Sequence, residues 1–300
     1  MNPNILQPSE LILTPEGKIY HLDLAPSQLA STIITVGDQA RVSEVSKYFD
    51  TIETKAQHRE FKTHTGTYKG KRISVISTGI GPDNIDIVFN ELDALVNVDF
   101  EKRTVKKDLT SLEIIRIGTS GGLTPEIEVD SFLISAMAIG LDNVMHYYAD
   151  TDKIFNRNFA QSFIDHTQWN PDNSVPYAVE PDKNLLSKFT THSSEGQAEN
   201  TIEGITITNV GFYGPQGRVL RANLKDADLN DKLTSFKFKN KKITNLEMET
   251  ATMYGMAKLL GHRAVSLNAI IANRATGTFS KNAPKTIDAL IQYTLRKISE

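Results

Sequence analysis

The sequence predicts an α/β fold of three layers (α/β/α), with a central mixed, partly parallel, twisted sheet between two layers of helices. Short runs rich in β-branched residues are typical of buried strands, amphipathic stretches of helical period follow them, and glycine-containing turns join the two. No change in composition marks a domain boundary. We therefore expect residues 1–300 to form a single domain, in which residues 1–30 are an irregular N-terminal arm.

The elements that support this prediction alternate along the chain. In the first half they are a strand at Thr32–Val36, a helix over about Ala40–Phe49, a turn at Lys69–Lys71, a strand at Ile73–Ser77 and a helix over about Asp83–Leu95. The polar segment 97–111 is predicted to be a solvated excursion. A further buried strand is expected at Glu113–Ile117, followed by a glycine-rich turn and another strand.

The second half is less regular. Residues 142–205 are weakly patterned and predict one helix, over about Asp182–Thr191. The last elements are helices over about Asp226–Phe236 and Glu249–Leu260, strands at Ile243–Leu246 and 264–272, and a C-terminal helix from about Pro284.

Composition excludes several classes of function. The chain has 33 basic and 36 acidic residues and a net charge of −3, so no basic field indicates a nucleic-acid partner. It has no cysteine, which rules out disulfides, thiol nucleophiles and cysteine metal sites. No basic segment followed by an apolar core opens the chain, and no apolar run approaches the ~18 residues of a membrane helix. We expect a cytoplasmic protein with no membrane partner.

Three glycine-containing stretches, "VGDQAR", "STGIGPDN" and "RIGTSGG", follow predicted strands. In α/β sheets ligands bind at the carboxyl ends of strands, and helix N-termini there favour anions. None of the three matches a P-loop or a dinucleotide-binding fingerprint. Each alone is explained more simply as a tight exit from a strand.

Arginines near these stretches favour an anion site. Arg116 stands within a strand that is otherwise apolar, where a charge needs a carboxylate or a bound phosphate as partner. Arg41 follows Gly37 by about one helical turn, and Thr119 offers a hydroxyl close to Arg116. Arg59 alone is most simply an exposed arginine. Together these residues predict a phosphate cradle with bidentate arginine contacts.

Two further stretches carry candidate binding residues. "GFYGPQGR" places Gln216 and Arg218 two residues apart beside Phe212, either as a ligand-reading pair or as a solvated surface turn. Glu247 and Glu249 flank Met248 where a strand meets a helix. Such acids can simply favour the helix dipole, but a carboxylate facing a pocket would also suit the vicinal hydroxyls of a sugar.

Six motifs in order, "HLDL", "GDQAR", "HREF", "STGIG", "RIGTSGG" and "EMETAT", resemble those of the nucleoside phosphorylases, the family that includes uridine phosphorylase, trimeric-type purine nucleoside phosphorylase and methylthioadenosine nucleosidases. The segment "FYGPQGR" resembles the base-recognition segment of uridine phosphorylases in particular. The resemblance implies a nucleoside phosphorylase-type fold and a pentosyltransferase, which would convert uridine and phosphate to uracil and ribose 1-phosphate.

The resemblance also implies a role for each candidate residue. Phosphate would be bound by Gly37, Arg41, Arg116 and Thr119, and by Arg59 reaching into a neighbouring subunit. Ribose would be bound by Met248, Glu249 and a neighbour's His21, and the base by Phe212, Gln216, Arg218, Ile271 and Ala272, with Arg274 close to it. Arg218 would stabilise the leaving base with help from Gln216, and these two with Glu249 form the expected catalytic set.

The same resemblance implies a homo-oligomer built from dimers, up to a hexamer, with inorganic phosphate as co-substrate and no organic cofactor. No cluster with the spacing of a zinc site is present in the sequence, and a monovalent cation between subunits is one expectation. The stretch "GIGPDNID" departs from the family pattern near that cation site, and the segments 97–110 and 150–200 match it poorly. Three alternatives stay open: a purine nucleoside phosphorylase, a nucleosidase that uses water, and a noncatalytic nucleoside-binding module.

Overall fold

The fold is described from a computed structural model, which covers residues 5–190 and 201–300. The strands are β1 Thr32–Val36, β2 Thr51–His58, β3 Phe61–Tyr68, β4 Lys71–Ser77, β5 Val98–Asp99, β6 Thr104–Val105, β7 Glu113–Gly122, β8 Phe132–Gly140, β9 Tyr177–Val179, β10 Thr201–Thr208, β11 Lys237–Phe238, β12 Lys241–Glu247, β13 Arg263–Asn273 and β14 Thr278–Phe279. The α-helices are α1 Gln39–Ser46, α2 Pro82–Asn97, α3 Arg157–Thr167, α4 Lys183–Thr190, α5 Leu229–Ser235, α6 Thr250–Leu259 and α7 Ala283–Ser299.

One sheet dominates the molecule, with the order β11-β12-β10-β8-β13-β7-β1-β4-β3-β2. Strands β4, β1, β7 and β13 run parallel, whereas β2, β3 and β4 form antiparallel pairs and β8 is antiparallel to β13. The sheet is therefore mixed and partly parallel, as the sequence predicts.

The end of β12 also pairs with the end of β7, where Leu246 lies opposite Gly121. This pairing closes β12, β10, β8, β13 and β7 into a ring. Residues that lie far apart in sequence, at the ends of β7 and β12, are brought together by this closure.

Apolar side chains cover both faces of the sheet, which gives the predicted three layers. On one face α2 and α6 contribute buried residues such as Phe89 and Met253. On the other face α1, α4 and α7 contribute residues such as Val45, Phe189 and Leu290. Side chains of successive strand residues point to opposite faces, so a strand covered on both faces, such as β1, is buried along its whole length.

Some predicted elements are wrong in their bounds. The expected turn after Ile117 does not exist, because β7 continues to Gly122 and its glycines pair with β12 and β13. The helix expected from about Asp226 begins at Leu229, because the Asp226 carboxylate instead accepts a hydrogen bond from the Asp228 amide and pairs with Lys232. Helix α4 begins at Lys183, and the predicted last residue, Thr191, lies outside the described residues.

Other elements were missed or simplified. Strand β2 carries no strong apolar pattern in the sequence and is fixed by pairing with β3. Helix α3 is amphipathic, with Phe159 and Phe163 packed on its buried face, and its pattern was overlooked in a weakly patterned region. The polar segment 97–111 is not wholly irregular, because β5 and β6 form a short hairpin. Arg103 in this hairpin donates to the carbonyls of Leu6, Gln7 and Leu11, and so holds the N-terminal arm against it. Among the described residues no helix is long and apolar enough to cross a membrane.

Candidate functional site

A cavity of about 730 Å³ opens where the ends of β1, β7, β12 and β13 meet. Most of the candidate residues line it: Gly37, Arg41, Arg116, Thr119, Phe212, Gln216, Arg218, Met248, Glu249, Ile271 and Ala272. His21, Arg59 and Arg274 do not. Because the ring closure joins the ends of β7 and β12, side chains near the ends of β1, β7, β12 and β13 share this cavity.

Arg116 lies at the centre of the cavity floor and is only 5% exposed. Its Nη2 donates to a carboxylate oxygen of Glu249 and lies 3.6 Å from Oε2 of Glu247. Burial opposes the charge, but these two carboxylates outweigh it and raise the pKa of Arg116. The partner that the sequence required for this buried charge is thus a pair of carboxylates.

The glycine after Ile117 makes room for this guanidinium. A Cβ atom at Gly118 would overlap the Arg116 side chain and lie 2.6 Å from Oδ1 of Asn268. Asn268 is fully buried on the neighbouring strand β13, and its Oδ1 accepts a hydrogen bond of 3.1 Å from Nη1 of Arg116. The stretch "RIGTSGG" therefore needs this glycine to let two side chains approach the strand, not to make a turn.

Glu247 organises the start of α6. Its carboxylate accepts hydrogen bonds from the backbone amides of Glu249 and Thr250, at 2.9 to 3.1 Å, and from the Thr208 hydroxyl at 2.6 Å. It thereby occupies amides that would otherwise lack partners at the helix N-terminus. Of the two interpretations of the acid pair, a helix-capping role fits Glu247.

Glu249 links the acid pair to the second glycine stretch. Its Oε1 accepts the backbone amide of Gly81 at 2.9 Å, and its Oε2 pairs with Arg116. Gly81 has a φ of +100°, a conformation that favours glycine, and it directly precedes α2. Burial raises the pKa of Glu249, and Arg116 opposes that rise. Glu249 thus holds the "STGIG" stretch beside the cavity.

Arg41 is the second guanidinium of the cavity. It lies in the first turn of α1, where Asp38 caps the helix by accepting the Ala40 amide at 2.9 Å. Its Nη1 donates to the Ile117 carbonyl at 3.3 Å, and within the described residues it forms no ion pair. Burial and then the nearby Arg116 lower the pKa of Arg41. Two neighbouring positive charges, together with glycine backbone and the Thr119 hydroxyl in the same cavity lining, suit the binding of an anion.

Phe212, Gln216 and Arg218 form the part of the cavity lining that carries planar and polar groups. The Arg218 guanidinium lies 3.9 Å from the ring centroid of Phe212, and its Nη1 donates to Oε1 of Gln216 at 2.5 Å. Gly217 between them has a φ of +68°, which turns the chain so that Gln216 is buried. Arg274 donates to the Gln216 carbonyl and to Oδ1 of Asn230 at 3.3 Å, and so anchors the loop from beneath. Burial lowers the pKa of Arg218.

His21 and Arg59 lie together outside the cavity. The Arg59 guanidinium lies 5.9 Å from the centroid of the Tyr20 ring, which packs edge-on against His21 at 4.9 Å. Glu91 of α2 fixes His21 by accepting its Nδ1–H at 2.6 Å and its backbone amide. We call Tyr20, His21 and Arg59 the arm cluster. The structure thus brings two candidates together that are far apart in sequence.

Several cavity residues were missed in the sequence. Ser120 was missed because its stretch was predicted to be a turn, and Glu60 and Asn84 contribute from the turn before β3 and from the first turn of α2. Asn268 stands in a strand that reads as apolar; it does not line the cavity, but it was missed as the partner of Arg116. A polar residue at a strand position that faces the core is the one pattern that could have identified Asn268, by the same reasoning that singled out Arg116.

The cavity therefore combines three kinds of group. Arg41, Arg116 and Thr119 suit an anion, Met248 and Glu249 line the cavity from the junction of β12 and α6, and Phe212 with Gln216 and Arg218 suits a planar ring with polar edges. In the described part of the chain no group of three or more His, Asp or Glu side chains could hold a metal ion.

Comparisons with known proteins agree with this arrangement. The chain is 29% identical to a uridine phosphorylase of Thermococcus kodakarensis over 96% of its length and 89% of that protein. It is 27% identical to a DeoD-type purine nucleoside phosphorylase of Listeria welshimeri, covering 92% of this chain and 97% of the relative. The solved structure of a Trypanosoma brucei nucleoside phosphorylase, described as showing uridine phosphorylase activity, superposes with a TM-score of 0.83 at 29% identity, over 96% of this chain and 98% of that one.

The sequence pattern that defines the phosphorylase superfamily matches residues 31–298, which include every cavity-lining residue discussed above. This match covers most of the chain, and the fold and the resemblance predicted from the motifs are both confirmed by it. The chain belongs to the phosphorylase superfamily.

Proposed function

We propose that the protein is a uridine phosphorylase, a pentosyltransferase that converts uridine and inorganic phosphate to uracil and ribose 1-phosphate. The observation that carries this proposal is that one cavity is lined both by two arginines suited to an anion and by the Gln216–Arg218 pair beside an aromatic ring. Relatives named as uridine phosphorylases support the choice of a pyrimidine nucleoside.

The proposed reaction exchanges one bond at the anomeric carbon. A phosphate oxygen forms a bond to C1′, while the bond from C1′ to N1 of the base breaks and its electron pair goes to the base. The sugar develops oxocarbenium character between these events, as in glycoside cleavage. The protein needs no activated nucleophile, because phosphate already is one, and it acts by holding the reactants and stabilising charge.

Each group of residues then has one task. Arg41, Arg116, Thr119 and the backbone at Gly37 hold phosphate on one face of the sugar. Met248 and Glu249 hold the ribose hydroxyls. Phe212 packs on the base, with Ile271 and Ala272 lining its pocket, and Arg218 with Gln216 stabilises the negative charge that the base gains.

We further propose that the arm cluster completes the site of a neighbouring subunit, in a homo-oligomer built from dimers. His21 and Arg59 both pack against Tyr20 yet do not line their own cavity, which supports a role in another copy. His21 would reach the ribose 5′-hydroxyl and Arg59 the phosphate. Hexameric assembly, a monovalent cation between subunits, and a cytoplasmic location stay predictions.

The experiment that tests the function is base release from a panel of nucleosides, with and without phosphate. Uracil released from uridine only when phosphate is present, with equimolar ribose 1-phosphate, is the expected result. Faster release from inosine or adenosine would instead make the protein a purine nucleoside phosphorylase. Phosphate-independent release would make it a nucleosidase, and binding of uridine without turnover would make it a binding module.

A further inference from the structure

The carboxylates beside Arg116 and an anion in the cavity would compete for the donors of its guanidinium. Glu249 and Glu247 both lie at its Nη2, so two negative charges draw the guanidinium toward the start of α6. If the guanidinium bound only these carboxylates, it could rotate so that its remaining donors point away from an anion in the cavity. A contact on the other nitrogen is needed to hold the plane of the group.

Asn268 makes that contact. Its Oδ1 accepts from Nη1 at 3.1 Å, on the side of the guanidinium away from the carboxylates. The amide is itself held, because its Nδ2 donates to the Ser266 hydroxyl at 3.4 Å, and this hydroxyl hydrogen-bonds that of Thr250 at 2.8 Å. Asn268 is completely buried, and the missing side chain at Gly118 provides the space in which it meets Arg116.

The charge of this acceptor matters as much as its position. Arg41 and Arg116 bring two positive charges to the proposed anion site, and Glu247 and Glu249 bring two negative ones beside Arg116; Asp38, Glu60 and Arg218 also line the cavity. A neutral amide holds Arg116 without changing this balance. A carboxylate at the same place would hold the guanidinium as well but would oppose the entry of an anion.

We propose that Asn268 is a positioning residue for anion binding: it clamps Arg116 from the side opposite Glu249 and does so without charge, so that the guanidinium stays directed at phosphate. The role rests on the proposed function only in naming phosphate as the anion. Asn268 touches neither substrate, and it acts through Arg116 alone.

The test compares Asn268→Leu and Asn268→Asp with the native chain by titrating inorganic phosphate into the nucleoside-free protein in a calorimeter. Asn268→Leu keeps the number and branching of the side-chain heavy atoms, with a somewhat larger volume, and removes the acceptor; we expect its Kd for phosphate to rise about tenfold, equivalent to ~1.4 kcal/mol. Asn268→Asp keeps the acceptor and adds a charge, so its Kd rises further at neutral pH. This excess over the native Kd shrinks as the pH is lowered and the new carboxyl is protonated.

Asn97→Leu serves as the matched control. Asn97 is as buried as Asn268 and is hydrogen-bonded to Asp93 and Thr110, at the end of α2 and outside the cavity. Its variant should lose stability and keep the native Kd for phosphate. Steady-state kinetics provide a second readout, in which the KM for phosphate rises in Asn268→Leu while the KM for uridine stays within about threefold.

The outcomes separate the two proposals. A folded Asn268→Leu protein whose Kd for phosphate lies within twofold of the native value overturns the positioning role, whatever the native turnover. A pH-independent excess in Asn268→Asp overturns the argument from charge. A native protein that binds phosphate but releases no uracil contradicts the proposed function and leaves the comparison of phosphate affinities intact.

Discussion

Replacing Arg218 with alanine is the most direct test of the role that we propose for the loop 212–218 in binding the base. Both hydrogen bonds that Arg218 makes in the described chain use Nη1, at 2.5 Å to Gln216 and 2.5 Å to the Phe212 carbonyl. Its Nε and Nη2 are thus left to donate to a ligand. Removing one donor aimed at a charge that develops in the transition state costs about 2.7–4 kcal/mol, so kcat should fall by about 100- to 1,000-fold.

The stability of the fold should change far less. Phe212, on which the guanidinium stacks, is 52% exposed, and a cation–π contact at such a site contributes about 0.5–1 kcal/mol. We therefore expect the free energy of unfolding in urea to change by about 1 kcal/mol. Arg221→Ala is the matched control, because Arg221 is an exposed arginine of the same loop that does not line the cavity.

The assay is uracil release at saturating phosphate, repeated with 5-fluorouridine. Fluorine makes the base a better leaving group, so a residue that stabilises the leaving base matters less for that substrate. The loss in kcat of Arg218→Ala should be smaller with 5-fluorouridine than with uridine, whereas Arg221→Ala should resemble the native protein with both. A loss below tenfold for uridine in a folded Arg218→Ala protein, or an equal loss for the two substrates, would refute the reasoning.

Two further predictions concern other parts of the molecule. Burial, and then Lys62 and Lys55, lower the pKa of His64 from 6.5 to about 4, so the unfolded chain binds this proton more readily than the folded one between these values. The free energy of unfolding should therefore fall as the pH drops from about 6.5 to 4, by at most about 1.4 kcal/mol per pH unit. In urea titrations His64→Gln should remove the part of this pH dependence that His64 causes. An unchanged pH dependence in His64→Gln would contradict the prediction. If the arm cluster acts between subunits, mixing the inactive variants Arg59→Ala and Arg41→Met should restore activity, because each mixed dimer regains one complete site. A monomer that is active in a sedimentation experiment would contradict the shared site.

Strong local patterns made the fold predictable. The β-branched run of β1 and the amphipathic period of α2 determine their structures almost alone, and both were located to within a few residues. The glycine-rich half of β7 depends instead on β12 and β13, which are distant in sequence, and β2 depends on pairing with its hairpin neighbour β3. Pairing energy from neighbouring strands overrides the weak local preference of such segments.

Residues of the candidate site could be predicted where a charged or polar side chain stands in an otherwise apolar segment. Arg116 was found because a charge in an apolar strand needs a partner, and Glu249 lies in contact with it. Asn268 was missed because a single amide in a strand is a weak anomaly. The role of Gly118 was misjudged because its lack of a side chain serves a contact between β7 and β13 that local sequence does not report.

The hydrogen bond between Gln216 and Arg218 also fixes an order of donors and acceptors. Because Oε1 of Gln216 faces Arg218, its Nε2 points to the other side, and the pair presents a donor, an acceptor and a donor in sequence. The edge of uracil reads carbonyl, N–H, carbonyl, which is the complement of that sequence at all three positions. Cytosine offers an amino group and an unprotonated ring nitrogen in place of the first two, and would set donor against donor and acceptor against acceptor. If Gln216 and Arg218 bind the base as we propose, this one internal hydrogen bond fixes the direction of the amide and makes the pair selective for the edge of uracil.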